Sequence, residues 1–397
     1  MPPAIDAIIV GAGPVGLVAA LRLAHMGHAV TVLEAEPDIS EELRASTFHP
    51  PTLDMLDTLG LAQPLIAQGL VTPTWQVRIH ETGEKAEFDL GVLRDDTAFA
   101  YRLQAEQWKL SRLVLAALRG KGADVHFATR VSAVWQESDH AHVEANGFTL
   151  SARYVIGCDG ARSVVRGAMG QDFTGETYPE TTILATTPFP FHAAMPGLSN
   201  VNYIWTERPE FSGTFSLLRV PGKWRASLHT APDEDVAAAL TPAAIERKLQ
   251  AICPQAAPYV VEDLRPYRVH QRIVDDYRAG RLLLAGDAAH LNSPSGGMGM
   301  NGGIHDAFEL TDTLDAVLRG ADETLLNRYT RRRRPVAERE ILAQADRNRA
   351  RMRERDPERR RAMLRELQAI AADPQKCRAH LLRTSMISGL RAAAAIA

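Results

Sequence analysis

The sequence predicts an α/β protein: a Rossmann-like domain with an antiparallel sheet inserted into it and helices at its C-terminus. Three observations lead there. A strand, a glycine turn, a helix and a second strand open the chain as a β-α-β unit. Short apolar strands of parallel type recur at 154–157 and 280–286, as though rejoining that first sheet. Between them lie alternating segments of hairpin type. At 397 residues the chain exceeds one ordinary core, so intertwined domains are expected.

The elements follow in order. Residues 4–10 (AIDAIIV) form an apolar run of strand length that stops at glycine. Over 14–26 the apolar residues keep a helical period, and Gly27 ends it. Residues 29–33 (AVTVL) make the second buried strand, followed by Glu34. WQVRIHE and KAEFDLGV alternate around Thr82-Gly83 as a hairpin, and a helix is expected over 104–119. Strands return over 124–157, with Asn146-Gly147 as a tight turn. Residues 180–231 read as a larger antiparallel sheet (TTILATT, VNYIW, GTFSLLRV, WRASLHT). GRLLLAG at 280–286 is another buried strand, and from 304 onward the chain is mainly helical. The expected division is a first domain in three parts, 1–72, 97–178 and 269–330. A second takes in the hairpin 73–96 and the sheet 179–268, with a helical region at 331–397.

Composition narrows the classes. Apolar residues make up 45% and charged residues 23%, ordinary for a folded protein. A formal net charge of -3 gives no reason to expect nucleic acid as a partner. Cys158, Cys253 and Cys377 lie far apart without metal-ligand spacing, so no metal site and a reducing, cytoplasmic setting are expected. No apolar stretch is long enough for a membrane span, and the short N-terminal apolar run lacks the basic start of a signal peptide.

Three glycine motifs carry the chemistry. In Gly11-Ala12-Gly13-Pro14-Val15-Gly16, Gly11 permits the tight turn, Gly13 lets backbone approach a pyrophosphate, and Gly16 lets helix and strand pack closely. The helix N-terminus offers free N–H groups to phosphates, and Glu34 can accept from ribose hydroxyls. A lone glycine motif is weak, but the strand before it and the helix after it make this a dinucleotide site. The second motif is Cys158-Asp159-Gly160-Ala161-Arg162-Ser163, which alone could be a helix turn capped by Asp159. The third, Gly286-Asp287-Ala288-Ala289-His290, runs on into NSPSGGMGMNGG and alone could be a flexible loop. There Asp287 could bond a sugar-like hydroxyl, Gly296, Gly297 and Gly299 could pass a flat ring, and Asn301 is expected to start a helix. His290 reads as structural.

In this order and spacing the three motifs resemble the single-component FAD-dependent aromatic hydroxylases, the para-hydroxybenzoate hydroxylase family, over roughly residues 4–340. The resemblance implies that fold and an FAD cofactor. Gly11, Gly13, Pro14 and Gly16 would hold the pyrophosphate, Glu34 the adenosine ribose, and Arg44 the cofactor near the active site. Gln104, expected at a helix start, would lie near the ribityl and pyrophosphate region. Asp159 and Gly160 match the motif linked to FAD and nicotinamide, and Asp287 matches the aspartate of the ribityl chain. The segment from Pro294 through Gly299, Met300 and Asn301 would lie beside the isoalloxazine ring. One departure stands out: Ser293-Pro294-Ser295 and Met298 replace the double proline and glutamine of many relatives, which leaves substrate placement beside Pro294 open.

The implied reaction is hydroxylation of a small phenol-like or N-heteroaromatic ring with NADH or NADPH and O2, through a flavin C4a-hydroperoxide. No second Rossmann motif is needed, since the family receives its nicotinamide in a transient surface groove. Candidate catalytic residues are His49, Tyr203 and Arg225, with Pro294 beside the ring; Arg225 is expected to anchor an anionic group. Trp205, Phe215 and Leu217 are candidates for an apolar ring pocket, with core packing as the equal alternative. The arginine-rich stretch 328–365, interleaved with acids, reads as a solvated helical face. The terminal RAAAAIA reads as a surface that packs on a neighbour or supports a homodimer. A halogenase would show a WxWxIP-like segment, which is absent. A quinone-pathway hydroxylase of a lipid-tailed ring and a catalytically silent flavin-binding protein stay open as alternatives.

Overall fold

The computed structural model describes residues 5–42, 44–211, 213–230, 234–292 and 296–397. The opening β-α-β unit forms as its sequence pattern dictates. Strand Ile5–Val10, buried over its last four residues, leads into helix Pro14–His25 and strand Val30–Leu33. These two strands are the centre of a sheet whose parallel core runs Leu282–Leu284, Phe148–Gly157, Ile5–Val10, Val30–Leu33, Ala123–His126. The segments FTL and YVIG are one continuous strand, Phe148–Gly157. Its first half pairs antiparallel with Ala141–Ala145, across the Asn146-Gly147 turn in which both residues have positive φ, as a type I′ turn requires. Its second half joins the parallel core.

The second sheet has eight strands. From one edge they run His290–Leu291, Asp263–Ile273, Thr174–Thr187, Lys223–His229, Thr214–Val220, Val201–Trp205, Thr74–Ile79, Lys85–Asp89. All neighbours are antiparallel except Val201–Trp205 against Thr74–Ile79, which run parallel. The hairpin therefore extends the inserted sheet. The strand Asp263–Ile273 was not foreseen: its sequence, DLRPYRVHQRI, carries too many charges to alternate cleanly. Strands Thr174–Thr187 and Asp263–Ile273 run without a break through the expected boundaries at 178 and 268.

The two faces of this sheet have different fates, because successive side chains point to opposite sides. Ile204, Phe215, Leu217, Ala226, Leu228 and Ile183 pack on helix Pro242–Ile252 as a core of their own. Phe215 and Leu217 are thus core residues, and no ring pocket forms around them. The other face carries a row in register, Tyr203, Ser216, Ser227 and Leu184, and the next row holds Arg225. Its far end, at Trp75, Val77 and Trp205, packs on the C-terminal helices through Leu364, Leu367, Leu381 and Ile387.

The arginine-rich tail is not simply a solvated face. Arg333 is buried and donates to Asp306 at 2.7 Å. Arg360 is buried too and donates to the carbonyls of Thr206 and Gly213 at 2.9 and 3.0 Å. The end of the chain packs against helix Asn327–Val336 of its own molecule, where Arg332 donates to the Ile396 carbonyl at 2.6 Å. Among the described residues no helix is long and apolar enough to cross a membrane, and no cluster of metal-ligating side chains occurs.

Candidate active site

The three glycine motifs, far apart in sequence, end three neighbouring parallel strands. Leu282–Leu284, Phe148–Gly157 and Ile5–Val10 lie side by side and release their turns along one carboxyl edge, where ligands of such sheets bind. Gly11 has φ +104°, and a Cβ there would stand 2.5 Å from the carbonyl oxygen of Cys158, so glycine is required at this crossing. A Cβ at Gly16 would stand 2.1 Å from the Gly11 carbonyl oxygen. Gly13 differs, since a Cβ there would meet no protein atom within 4 Å. It faces open space at the N-terminus of helix Pro14–His25, whose start no side chain caps. Uncapped N–H groups beside an open glycine suit a pyrophosphate. Next to them the Glu34 carboxylate accepts from the Ala12 N–H at 2.6 Å, which fixes it at the turn.

Asp159 accepts from the N–H groups of Val164 and Val165 at 2.7 and 3.3 Å, so it does act as a helix cap. Its other carboxylate oxygen is buried without a partner. Burial raises its pKa, opposed by the Ser163 hydroxyl and nearby backbone N–H groups. Gly160 follows with positive φ, and Arg166 ties this turn to the third motif by donating to the Ala288 carbonyl at 3.0 Å. Asp287 is exposed to solvent, yet desolvation by the surrounding protein raises its pKa. The positive fields of His290 and exposed Arg44 act in the opposite sense.

The loop after Asp287 is locked to a segment from the first third of the chain. Asn301 is fully buried and donates to the carbonyls of Thr47 and Gly297 at 2.8 and 2.7 Å. Its side-chain oxygen accepts from the His49 N–H at 2.9 Å. Asn301 thus acts on this loop as a clamp. The helix begins earlier than expected, at Gly299, with Met300 half-buried in its first turn. Gln104 lies at the end of the strand Arg102–Gln104, and its helix begins only at Gln107. The short pairing with Thr47–Phe48 captures it, and its amide donates to Thr47 Oγ1 at 3.0 Å. Pro294 lies outside the described residues.

Beside this loop lies a cavity that is partly open to solvent. One wall is the inserted sheet, through Trp75, Val77 and Tyr203. A second is the loop itself, through Gly296 and Met298. Arg102 forms a third, and Asn348, Arg351, Met352 and Thr384 of the C-terminal helices close the fourth. Of the catalytic candidates, Tyr203 lines this cavity. His49 lies just behind it: buried, its Nε2 hydrogen-bonds the Gly296 carbonyl at 2.9 Å, while Nδ1 has no partner. Burial, and secondarily Arg102, pull the His49 pKa down to about 3, so the ring is neutral near pH 7 and a weak base. Arg225 does not line the cavity. Its guanidinium donates to Ser46 Oγ at 2.8 Å and to the Arg44 carbonyl at 3.2 Å, which holds the Arg44 segment in place. Trp205 is buried in the sheet's far end, donating to the Arg351 carbonyl at 3.0 Å. The sequence carries no local signal for Arg351, Met352 or Thr384 as cavity residues, since only the packing of distant helices brings them there.

Fold and site together define a protein of the dinucleotide-binding class with an inserted, mainly antiparallel sheet. Comparison with known proteins makes this particular. The family model described as an FAD binding domain matches residues 4–344. The chain is 36% identical over 367 residues to para-nitrophenol 4-monooxygenase of Pseudomonas sp. (strain WBC-3), covering 89% of this chain and 88% of that one. It is 34% identical over 334 residues to 6-hydroxy-3-succinoylpyridine 3-monooxygenase HspB of Pseudomonas putida (strain DSM 28022 / S16), covering 82% and 84%. The crystal structure of p-nitrophenol 4-monooxygenase PnpA from Pseudomonas putida DLL-E4 superposes with a TM-score of 0.90 at 32% identity, over 98% of both chains. The chain belongs to the para-hydroxybenzoate hydroxylase-like family and is an FAD-dependent aromatic monooxygenase.

Proposed function

We propose that this monooxygenase hydroxylates a small, single-ring aromatic, a phenol or hydroxypyridine, at the expense of reduced nicotinamide and O2. The observation that carries this reading is the cavity beside the Gly296–Met298 loop. Its apolar walls, Trp75, Val77, Met298 and Met352, suit the faces of an aromatic ring. The relatives para-nitrophenol 4-monooxygenase and 6-hydroxy-3-succinoylpyridine 3-monooxygenase are named for single-ring compounds. A lipid-tailed ring fits less well, because polar and charged groups of Arg102, Tyr203, Asn348 and Arg351 share the lining.

FAD, when bound, supplies the redox and oxygen-transfer chemistry. The chain's residues have other tasks. Gly13 and the uncapped N–H groups after it would hold the pyrophosphate, Glu34 the ribose, and Asp287 a hydroxyl of the ribityl chain. Asp159 and Gly160, with Arg44, whose charge acts on Asp287, would complete the cofactor contacts. Asn301 keeps the loop rigid by bonding both it and the Thr47–His49 segment. The apolar walls exclude water from the reacting ring. Tyr203 is the hydroxyl positioned to pass or hold a proton at the substrate, since its side chain opens into the cavity. A cytoplasmic setting is supported by three free cysteines.

The test is a visible spectrum of the purified protein, then NADH and NADPH oxidation against phenols, hydroxybenzoates and hydroxypyridines. Yellow protein, oxidation stimulated by one ring, and a product heavier by one oxygen are the expected results. A yellow protein whose oxidation no single-ring compound stimulates would remove the proposal.

A further inference from the structure

Arg102 is buried, and its Nε has no hydrogen-bond partner. Among the described residues no carboxylate lies within ion-pair distance of it; the groups that face it are the Tyr203 hydroxyl and the Trp75 ring, whose centroid is 5.1 Å from the guanidinium carbon. Arg351, half-buried on the wall formed by the C-terminal helices, has no ion pair among the described residues, with Glu366 acting on it only at a distance. Both line the same cavity. The positive field is felt by their neighbours: after burial, Arg102 lowers the pKa of His49, and Arg351, Arg383 and Arg102 together lower that of His380 to about 4.

A desolvated guanidinium without a counter-charge is costly, and two around one cavity are costlier. An anionic ligand seated between them would remove that cost. We infer that Arg102 and Arg351 form an anion subsite that selects rings carrying a planar negative group, a phenolate or a carboxylate, over their neutral counterparts. The inference rests on the single-ring reading above and names the charge of that ring. Arg102 donates to the anion from the short strand Arg102–Gln104, with Tyr203 of the inserted sheet within reach of the same oxygen, and Arg351 closes from the C-terminal helix. Guanidinium forks suit planar oxygen pairs better than ammonium groups do.

Isothermal titration of the yellow holoenzyme, without nicotinamide, tests this with two ligand pairs. One is 4-nitrophenolate with 4-nitroanisole, at a pH where the phenol is ionised, and the other is 4-hydroxybenzoate with its methyl ester. The wild type is expected to bind an anion at least about tenfold more tightly than its neutral partner. Arg102→Gln and Arg351→Gln should each weaken the anion roughly 10- to 100-fold and leave the neutral partner within about threefold. Arg102→Lys should recover part of the loss. Retained flavin absorbance and the neutral ligand in the same variant exclude misfolding. Variants that bind the anion as the wild type does, or lose both ligands equally, would overturn the subsite. A holoenzyme that binds no member of either pair would overturn the single-ring reading itself.

Discussion

Gly13 and Gly16 stand in one turn and serve different ends. A methyl group at Gly16 collides with backbone at 2.1 Å, whereas one at Gly13 enters space that the protein leaves open. Gly16→Ala should therefore prevent the turn from closing, giving insoluble or unfolded protein. Gly13→Ala should fold, with an apoprotein melting curve close to wild type, and lose FAD affinity by at least about tenfold, because the methyl occupies the pyrophosphate's approach. Apoprotein melts and FAD titration of both variants check the pair. Equal FAD affinity in Gly13→Ala and wild type would show that the open space is not the phosphate site. Arg225 makes a related point. Anion recognition by Arg225 is the expectation from sequence, but its two terminal nitrogens donate to Ser46 and the Arg44 carbonyl, its Nε is buried without a partner, and it does not line the cavity. Among the described residues Arg102 and Arg351 have no ion-pair partner, and it is these two arginines that line the cavity.

Among the elements, helix Gly299–Leu318 is the keystone. Its first turn clamps the loop through Asn301, and its second holds Asp306, buried against His290, Arg333 and the Gly286 N–H. The guanidinium of Arg333 and the His290 ring hold the Asp306 carboxyl far below the usual range, against the opposing effect of burial. Asn301→Ala would strand a buried N–H and two carbonyls, at a cost of about 2–5 kcal/mol, and loosen the cofactor loop. Denaturant titration should show the lost stability, and FAD should leave the variant faster on dilution. Arg333→Met should cost about 3–5 kcal/mol, since it leaves the Asp306 charge buried with one partner fewer. A denaturant midpoint within error of wild type would refute that role. Gln104 shows how an element can be misread locally: the residues around it favour a helix, yet the short pairing with Thr47–Phe48 draws it into a strand.

On the scale of the whole molecule, three buried histidines set a direction for acid sensitivity. Burial first, then positive neighbours, lower His49 to about 3 and His380 to about 4 from the ordinary 6.5, and His305 lies well below it. Unfolding frees each ring to take a proton below 6.5, which the folded state refuses until near its own lowered value. Their contribution is thus fully present above 6.5 and is lost as pH falls toward 4 and 3. His49 and His380 each withdraw roughly 1.4 kcal/mol by about pH 5.5, and His305 acts in the same direction. Thermal midpoints should be lower at about pH 5.5 than at about pH 7.5, and His380→Gln should flatten the difference. An unchanged midpoint in wild type would contradict the burial of these rings.

The sequence by itself determined the cofactor half of this protein. The first glycine turn and Glu34 read as a dinucleotide site because close backbone approach and hydroxyl acceptance at a strand end call for those residue types at short spacing, whereas Asp159 drew its expected role from the family resemblance and Asp287 from both. The hairpins were legible for a similar local reason, as at Asn146-Gly147, where the turn needs two positive φ angles. Only the tertiary structure decided the substrate half. Tyr203, Arg102 and Arg351 are brought to one cavity by a sheet register, a short strand and a distant helix. Whether a charge is paired or exposed there depends on neighbours hundreds of positions away. No local pattern encodes that, so the arginine-rich tail read as solvated until its packing showed one of its guanidiniums facing the ring site.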